Sequence, residues 1–224
     1  MKDFKVIEVK RSIFEDNNAD ADNLRAELKS EGTFLLNLMS SPGAGKTTTL
    51  KRMIAMLKDE MKIGVMEADI DSDVDAEAIA ATGVRAIQIH TGGMCHLDAD
   101  MTRQGIREFG TKDLDFVVLE NVGNLVCPAE FDTGSTKNAM ILSVPEGDDK
   151  PLKYPLMFSI CDVVLINKCD TLGVFDDFSK EAVKERILKL NPYAKIFFVS
   201  AKTGEGFEDW ADWIRKEVQS YQQD

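Results

Sequence analysis

One nonapeptide constrains the fold of this chain more than any other feature. Ser40-Ser41-Pro42-Gly43-Ala44-Gly45-Lys46-Thr47-Thr48 follows the apolar run at residues 34–39 and leads into an amphipathic stretch at 47–58. The pattern is GxxxxGK followed by Ser or Thr, set between a strand and a helix, with Ser40 in place of the first glycine. Such a phosphate loop works through its backbone. Gly43, Ala44 and Gly45 offer N–H groups that close around phosphate oxygens, and the helix that follows adds its positive N-terminus. Lys46 reaches the outer phosphates, and Thr47 offers a hydroxyl to Mg²⁺, with Thr48 beside it in the first turn. An ordinary glycine turn capping a helix needs neither the Lys-Thr pair nor an apolar strand before it.

The rest of the chain repeats this rhythm. Apolar runs at residues 62–67, 86–89, 115–120, 139–144, 162–167 and 195–200 alternate with amphipathic stretches at 76–81, 98–109, 180–190 and 207–219. The alternation predicts an α/β fold, a doubly wound and mostly parallel sheet with helices on both faces, of the P-loop NTPase class. At 224 residues, 44% of them hydrophobic, the chain can bury one sizeable core. No repeat period or Pro/Gly/Ser-rich linker divides it. Residues 1–33, polar and mixed in charge with a helical pattern only at 23–28, are expected to form a peripheral arm. Residues 34–224 are expected to form one P-loop GTPase domain. Ligands of such sheets gather at the carboxyl ends of the strands, where nearly all the motifs fall.

Base choice rests on Asn167-Lys168-Cys169-Asp170 and Ser200-Ala201-Lys202, which resemble the guanine-specificity motifs of GTPases. The Asp170 carboxylate can accept from both the ring N–H and the exocyclic amine of guanine, contacts worth about 1.5 to 3 kcal/mol each that adenine cannot reciprocate. Lys168 would lie along the base and Asn167 would tie neighbouring loops together. Nearer the phosphates, Glu67-Ala68-Asp69 is followed by Asp71, Asp73 and Asp75. A water-bridged Mg²⁺ needs only one or two carboxylates besides the phosphates, so Asp69 and then Asp75 are the candidates, the others facing solvent or capping helices. Glu120-Asn121-Val122-Gly123 has the form of the DxxG γ-phosphate sensor with Glu for Asp. Gly123 would donate its backbone N–H. Glu120 joins Lys46 and Asp69 as a candidate catalytic residue, and joins Thr47 as a candidate Mg²⁺ ligand.

A net charge of -12 argues against sequence-independent binding to nucleic acid or anionic membrane, both of which need basic surface. The apolar runs fall far short of the roughly 20 residues that cross a bilayer. The N-terminus shows no apolar segment with a small-residue cleavage site, so a cytoplasmic location is expected. In that setting Cys95, Cys127, Cys161 and Cys169 are not a disulfide framework. Cys161 is expected to open an apolar strand, and Cys169 fills the variable position of the base motif; both read as structural. Cys95 and His96 stand side by side in Thr91-Gly92-Gly93-Met94-Cys95-His96-Leu97-Asp98, and Cys127 lies four residues beyond Gly123. If both loops share an edge of the sheet, the three converge, and thiolate with imidazole suits Zn²⁺, Ni²⁺ or copper. A half-buried cysteine beside a helix-capping histidine is the plainer alternative from composition. A nucleophilic Cys-His pair lacks an orienting third group.

Taken together, SSPGAGKTT, EADI, TGGMCHLDA, ENVGNLVCPAEFDTG, the segment 145–155 and NKCD resemble the hydrogenase maturation GTPase family HypB, which assists nickel insertion into nickel–iron hydrogenase. The resemblance runs from about Phe34 to the C-terminus. It implies a G domain of the metallochaperone (SIMIBI) type, hydrolysis of GTP to GDP, and ligation of Ni²⁺ or Zn²⁺ by Cys95, His96 and Cys127. It also implies a homodimer promoted by GTP with the metal at the interface, joined in function by a nickel-transfer accessory protein and the hydrogenase large subunit. Lys150 and Lys153 would reach across that dimer. The N-terminal CxxC motif and histidine-rich tract of some members are missing, and with only His90 and His96 present nickel storage is not expected. Without an arginine finger in the phosphate-facing loops, intrinsic hydrolysis is expected to be slow. The nearest alternatives are related metallochaperone GTPases for urease or a cobalamin enzyme. A P-loop small-molecule kinase, from another class, conflicts with NKCD, and a metal carrier with a purely structural nucleotide site is the third.

Overall fold

The computed structural model describes residues 4–69 and 74–223, with side chains from Asp16 to Asp69 and from Ala76 to Gln223. Seven strands form its sheet: β1 Phe34–Ser40, β2 Ile63–Asp69, β3 Arg85–His90, β4 Phe116–Glu120, β5 Lys137–Ser143, β6 Val163–Asn167 and β7 Lys195–Phe198. Their order is β3-β2-β4-β1-β5-β6-β7, and every pairing is parallel. A parallel sheet is covered on both faces, so its central strands read as unbroken apolar runs. All residues of β1, β4 and β6 are buried accordingly.

Alternation along each strand sorts side chains between two helical layers. Leu36 and Leu38 of β1 pack with Leu50 and Ile54 of α2 (Lys46–Leu57) and with Trp210 and Ile214 of α9 (Phe207–Gln223). On the opposite face, Leu35 meets Ile106 of α4 (Ala99–Phe109), while Met39 meets Phe158 of α7 (Pro155–Ile160) and Ile187 of α8 (Lys180–Leu190). The N-terminal helix α1 (Phe4–Glu31) joins that second layer. Its Leu24 and Leu28, one helical turn apart within the periodic stretch 23–28, are fully buried against Leu35 and Ile106. Burial of each stabilises the packing by about 1.5 to 3 kcal/mol.

Three short helices escape a periodicity argument because they are shorter than two turns: α5 (Cys127–Glu130), α6 (Lys150–Lys153) and α7. A seven-residue helix, α3 (Val74–Ala80), connects β2 to β3. Cys161 corrects an expectation. It terminates α7, where its thiol donates to the Met157 carbonyl at 3.0 Å, and β6 begins only at Val163. Full burial pushes this thiol well above the ordinary range, in keeping with a structural role. Among the described residues no helix is long and apolar enough to cross a membrane.

Parallel register brings Ser40, Asp69, His90, Glu120, Ser143 and Asn167 to one rim, with Glu67 opposite Glu120 and Ser143 opposite Asn167. Central β1 lies between β4 and β5, and the chain leaves β1 for one helical layer and β4 for the other. The crevice that opens there is the place where such sheets receive ligands.

Candidate functional site

Two cavities adjoin on this rim and share Gly45. One, of about 500 Å³, is lined by the phosphate-loop residues Gly43, Lys46 and Thr47 together with Asp69, Glu120 and Gly123. The other, of about 270 Å³, is lined by Thr48, Asn167, Lys168, Asp170, Ala201 and Lys202. The first has the donors and carboxylates a phosphate chain with a hard cation requires, and the second gathers the residues of both base motifs.

The base motifs and the phosphate loop fasten each other. Asn167 is buried at the end of β6; its Nδ2 donates to the Ala44 carbonyl at 2.9 Å and its Oδ1 accepts from Ala201 N–H at 3.1 Å. Gly45 closes this corner: its φ is 102°, and a Cβ would sit 2.6 Å from Asn167 Nδ2, so only glycine fits. Lys168 Nζ donates to the Gly43 carbonyl at 2.8 Å, and Lys168 itself has φ 60°, the only left-handed non-glycine among the described residues. A strained backbone at this place aims the lysine stem along the base pocket. Ser200 is fully buried and does not line the pocket; its hydroxyl donates to Asp170 Oδ1 at 2.6 Å, orienting the carboxylate. Arg52, which the motif analysis did not include, holds the same loop from α2 by donating to the Ala201 and Lys202 carbonyls at 2.8 and 3.1 Å. Cys169, beside Asp170, is buried, and burial with nearby Glu205 pushes its thiol up to about 11, in keeping with a structural role.

At the phosphate end Lys46 Nζ stands 3.2 Å from Ser40 Oγ and 3.8 Å from Glu120 Oε1. Ser40, the departure from the glycine pattern, thus supplies a polar contact to the lysine. Glu146, in the 3₁₀ turn after β5, accepts from Ser41 Oγ and, at 2.7 Å, from both Ser143 N–H and Ser143 Oγ. Asp69 and Glu120 line the cavity together with Thr47. The side chain of Asp75, like residues Asp71 and Asp73, lies outside the described residues.

The third group is Cys95, His96 and Cys127, whose ligand atoms all lie within 4.8 Å of one another. Cys95 Sγ and His96 Nδ1 are 4.0 Å apart. Tetrahedral zinc bonded at ordinary lengths would hold its sulfur and nitrogen ligands about 3.5 to 3.8 Å apart, so the Cys95–His96 pair needs a shift of a few tenths of an ångström, and the three-atom set, spread over up to 4.8 Å, needs to close by up to about 1 Å around a thiophilic ion. Gly92 and Gly93, both at positive φ, turn the chain so that Thr91 Oγ1 donates to the Met94 carbonyl at 2.6 Å and Cys95 faces Cys127. His96 is buried, and its ring stacks on Phe131 at 3.9 Å. Burial holds its pKa below the ordinary histidine value despite Asp98 and Glu130, so the ring is a neutral donor at pH 7. The Cys95 thiol is raised, first by its hydrogen bond with Cys127 and then by burial.

The metal cluster is tied to the phosphate end at two points. Thr91 N–H donates to the Asp69 carbonyl at 3.2 Å. Asn121, fully buried after β4, accepts from Val122 N–H at 2.9 Å and from Leu97 N–H at 3.3 Å through one oxygen. Its amide donates to Asn37 Oδ1 at 3.2 Å, and Asn37 donates to Asn138 Oδ1 at 2.9 Å, a polar ladder across β4, β1 and β5. Asn37 is a polar residue inside an otherwise apolar run, and the ladder accounts for it.

The chain is 44% identical over 214 residues to "Hydrogenase maturation factor HypB" of Rhizobium leguminosarum bv. viciae, covering 96% of this chain and 71% of that protein. It is 42% identical over 226 residues to "Hydrogenase/urease maturation factor HypB" of Helicobacter pylori strain J99, covering 99% and 91%. Its fold matches the crystal structure of HypB from Helicobacter pylori in complex with nickel with a TM-score of 0.85 at 42% identity, over 92% of this chain and 96% of that one. Fold and phosphate loop define a P-loop nucleotide-binding protein, and residues 34–198 match the family described as CobW/HypB/UreG, nucleotide-binding domain. Within that class, the chain belongs to the HypB family.

Proposed function

We propose that the chain is a GTP-hydrolysing metallochaperone that assists nickel insertion during hydrogenase maturation. The observation that carries this reading is the convergence of Cys95, His96 and Cys127 within 4.8 Å, fastened to the phosphate cavity of a HypB-family protein. Guanine would be held by Asp170 and Lys168, with Asn167, Ser200, Ala201 and Lys202 shaping the pocket. Gly43, Ala44, Gly45, Lys46, Thr47 and Thr48 would take the phosphates, and Gly123 N–H would read the γ-phosphate. Thr47, with Asp69, Glu120 and Asp75 directly or through water, would hold Mg²⁺, which neutralises charge on the phosphates. Water attacks the γ-phosphorus, the bond to the β–γ bridging oxygen breaks, and GDP and phosphate leave. Lys46 stabilises charge on the departing oxygen. It is the only basic residue among the described lining of this cavity, which supports slow intrinsic turnover.

Nickel is cargo here, and Zn²⁺ satisfies the same donors. Three ligands from one chain leave coordination open, which suits transfer or completion by a second copy. Met94 and Val126, apolar neighbours of the ligands, are 46% and 51% exposed, which supports a GTP-promoted homodimer across this face. A nickel-transfer accessory protein and the hydrogenase large subunit would be the partners, in the cytoplasm. Urease is a second reading of the target, favoured by the name of the Helicobacter pylori relative.

The test is titration of Ni²⁺ and Zn²⁺ into metal-free protein loaded with GDP or a non-hydrolysable GTP analogue, reading affinity and mass for the parent and Cys95→Ala. Nucleotide-dependent affinity that vanishes in the variant is expected. Equal weak binding in all samples would overturn the metallochaperone reading.

A further inference from the structure

We propose that Asn17, on the N-terminal helix, is a positioning residue for the metal cluster, its single carboxamide clamping together the two chain segments that carry the ligands. This rests on the reading of Cys95, His96 and Cys127 as metal ligands. Asn17 is only 8% exposed, a costly place for a carboxamide unless both ends are bonded. Both are. Its Oδ1 accepts from Ala99 N–H at 2.9 Å, and its Nδ2 donates to the Asp132 carbonyl at 2.9 Å. Ala99 opens α4 three residues after His96. Asp132 lies five residues after Cys127 and next to Phe131, whose ring covers His96.

The bond to Ala99 has a clear local reason. The first N–H groups of a helix have no partner inside it. Asp98 serves Met101 N–H at 2.8 Å, and Asn17 serves Ala99 from outside. The surroundings repeat the clamp on both sides. Arg25 grips the Asp132 carboxylate through two nitrogens at 2.8 and 2.6 Å, while Arg103 of α4 donates to Asp20 of α1 at 3.0 Å. Gly134 lets the 131–134 turn approach α1 so closely that a Cβ there would lie 2.9 Å from Leu24. The bonds that α1 side chains make outside the helix, among the described residues, reach α4, this turn, Thr111 and Tyr221, and none reaches a nucleotide motif. A carboxamide supplies both an acceptor and a donor from one planar group. Aspartate keeps the bond to Ala99 and loses the bond to Asp132.

The test measures Ni²⁺ affinity by chelator competition, the thiolate-to-nickel absorption band and GDP affinity for the full chain. Outer residues that orient metal ligands are worth about 10- to 100-fold in affinity. Asn17→Ala is expected to weaken Ni²⁺ by that factor and alter the band, with GDP affinity within about twofold of the parent. Asn17→Asp is expected to fall between them. Should Asn17→Ala not fold, Asn17→Asp and Arg25→Gln, which loosens Asp132, are expected to weaken Ni²⁺ by a smaller factor, again with GDP affinity within about twofold of the parent. Ni²⁺ affinity and band unchanged, or Ni²⁺ and GDP affinity falling together, would overturn the proposal. Cys127→Ala is measured alongside. If it too leaves Ni²⁺ binding intact, the ligand reading fails; if it abolishes binding while Asn17→Ala does nothing, only the clamp fails.

Discussion

The base pocket and the metal cluster share one rim of the sheet, yet they are held by different means. In the base pocket, motif residues bond one another: Asn167 to Ala44, Lys168 to Gly43, Ser200 to Asp170. In the metal cluster, the ligands touch chiefly each other and Phe131, and their segments are held by Asn17, Asn121 and the Asp69 carbonyl. A pocket fastened by its own motifs keeps its shape whatever happens elsewhere. A cluster fastened by distant elements takes its geometry from them, and so can respond to their movement.

The sharpest way to break this contrast is at Asp170. If Asp170 accepts twice from guanine as proposed, removing its carboxylate forfeits about 3 to 6 kcal/mol, so Asp170→Ala should weaken GDP binding on the order of 10²- to 10⁴-fold. Ni²⁺ affinity in the nucleotide-free protein should not move. Fluorescent-nucleotide displacement and a parallel metal titration check both halves. Loss of metal binding as well would mean the two regions are one structural unit. The converse is Cys127→Ala. A lost ligand exceeds the effect of a lost outer contact, so Ni²⁺ affinity should fall on the order of a hundredfold or more, with GDP affinity intact. Weaker GDP binding in that variant would contradict the separation.

Acidity probes the cluster with a smaller effect. Cys95 is raised above the usual thiol value, so below it the free protein holds a proton that metal must displace. Ni²⁺ affinity should therefore climb with pH from about 6.5 to 8, roughly tenfold per pH unit for each thiol proton released. Burial lowers His96, so its proton competes with the metal less than that of an ordinary histidine and adds little to the slope. A calorimetric titration in buffers of different ionisation heat counts the protons, and a flat profile would remove the thiols from the ligand set.

The same contrast explains what could be read from sequence. The nucleotide motifs are contiguous, lie directly at strand ends and carry their geometry in their own residue types, so the alternation of runs and the phosphate loop led straight to a parallel doubly wound sheet. The proposed metal ligands sit in two segments, and spacing alone left Cys95 and His96 with a structural alternative until the family resemblance was added. Asn17 carried no signal at all: its meaning lies in bonds to positions 82 and 115 residues away. Asn121 stood in plain view inside the sensor motif, but its buried oxygen has a role only because β4 brings it beneath Leu97. Phe131 escaped for the same reason, and α5, α6 and α7 were too short to show a period.

The subtlest prediction separates holding from coupling. One oxygen of Asn121 serves Val122 N–H, inside the proposed γ-phosphate sensor, and Leu97 N–H, next to His96. A sensor that shifts when GTP replaces GDP drags this oxygen, and with it the imidazole. Coupling carried by such a contact is worth about 0.5 to 2 kcal/mol, which makes the ratio of Ni²⁺ affinities in the two nucleotide states roughly 2- to 30-fold. In Asn121→Ala that ratio should collapse toward one. The variant also strands two N–H groups in the interior and loses about 1 to 3 kcal/mol of stability for each. Because both affinities are measured in the same variant, that loss cancels from the ratio. Asn17→Ala should do the reverse, lowering both affinities together and leaving the ratio alone, because its bonds hold the ligand segments without touching the sensor. A ratio that survives in Asn121→Ala would move the coupling to the other tether, the bond from Thr91 N–H to the Asp69 carbonyl, which links the same loop to the Mg²⁺ side of the phosphate cavity.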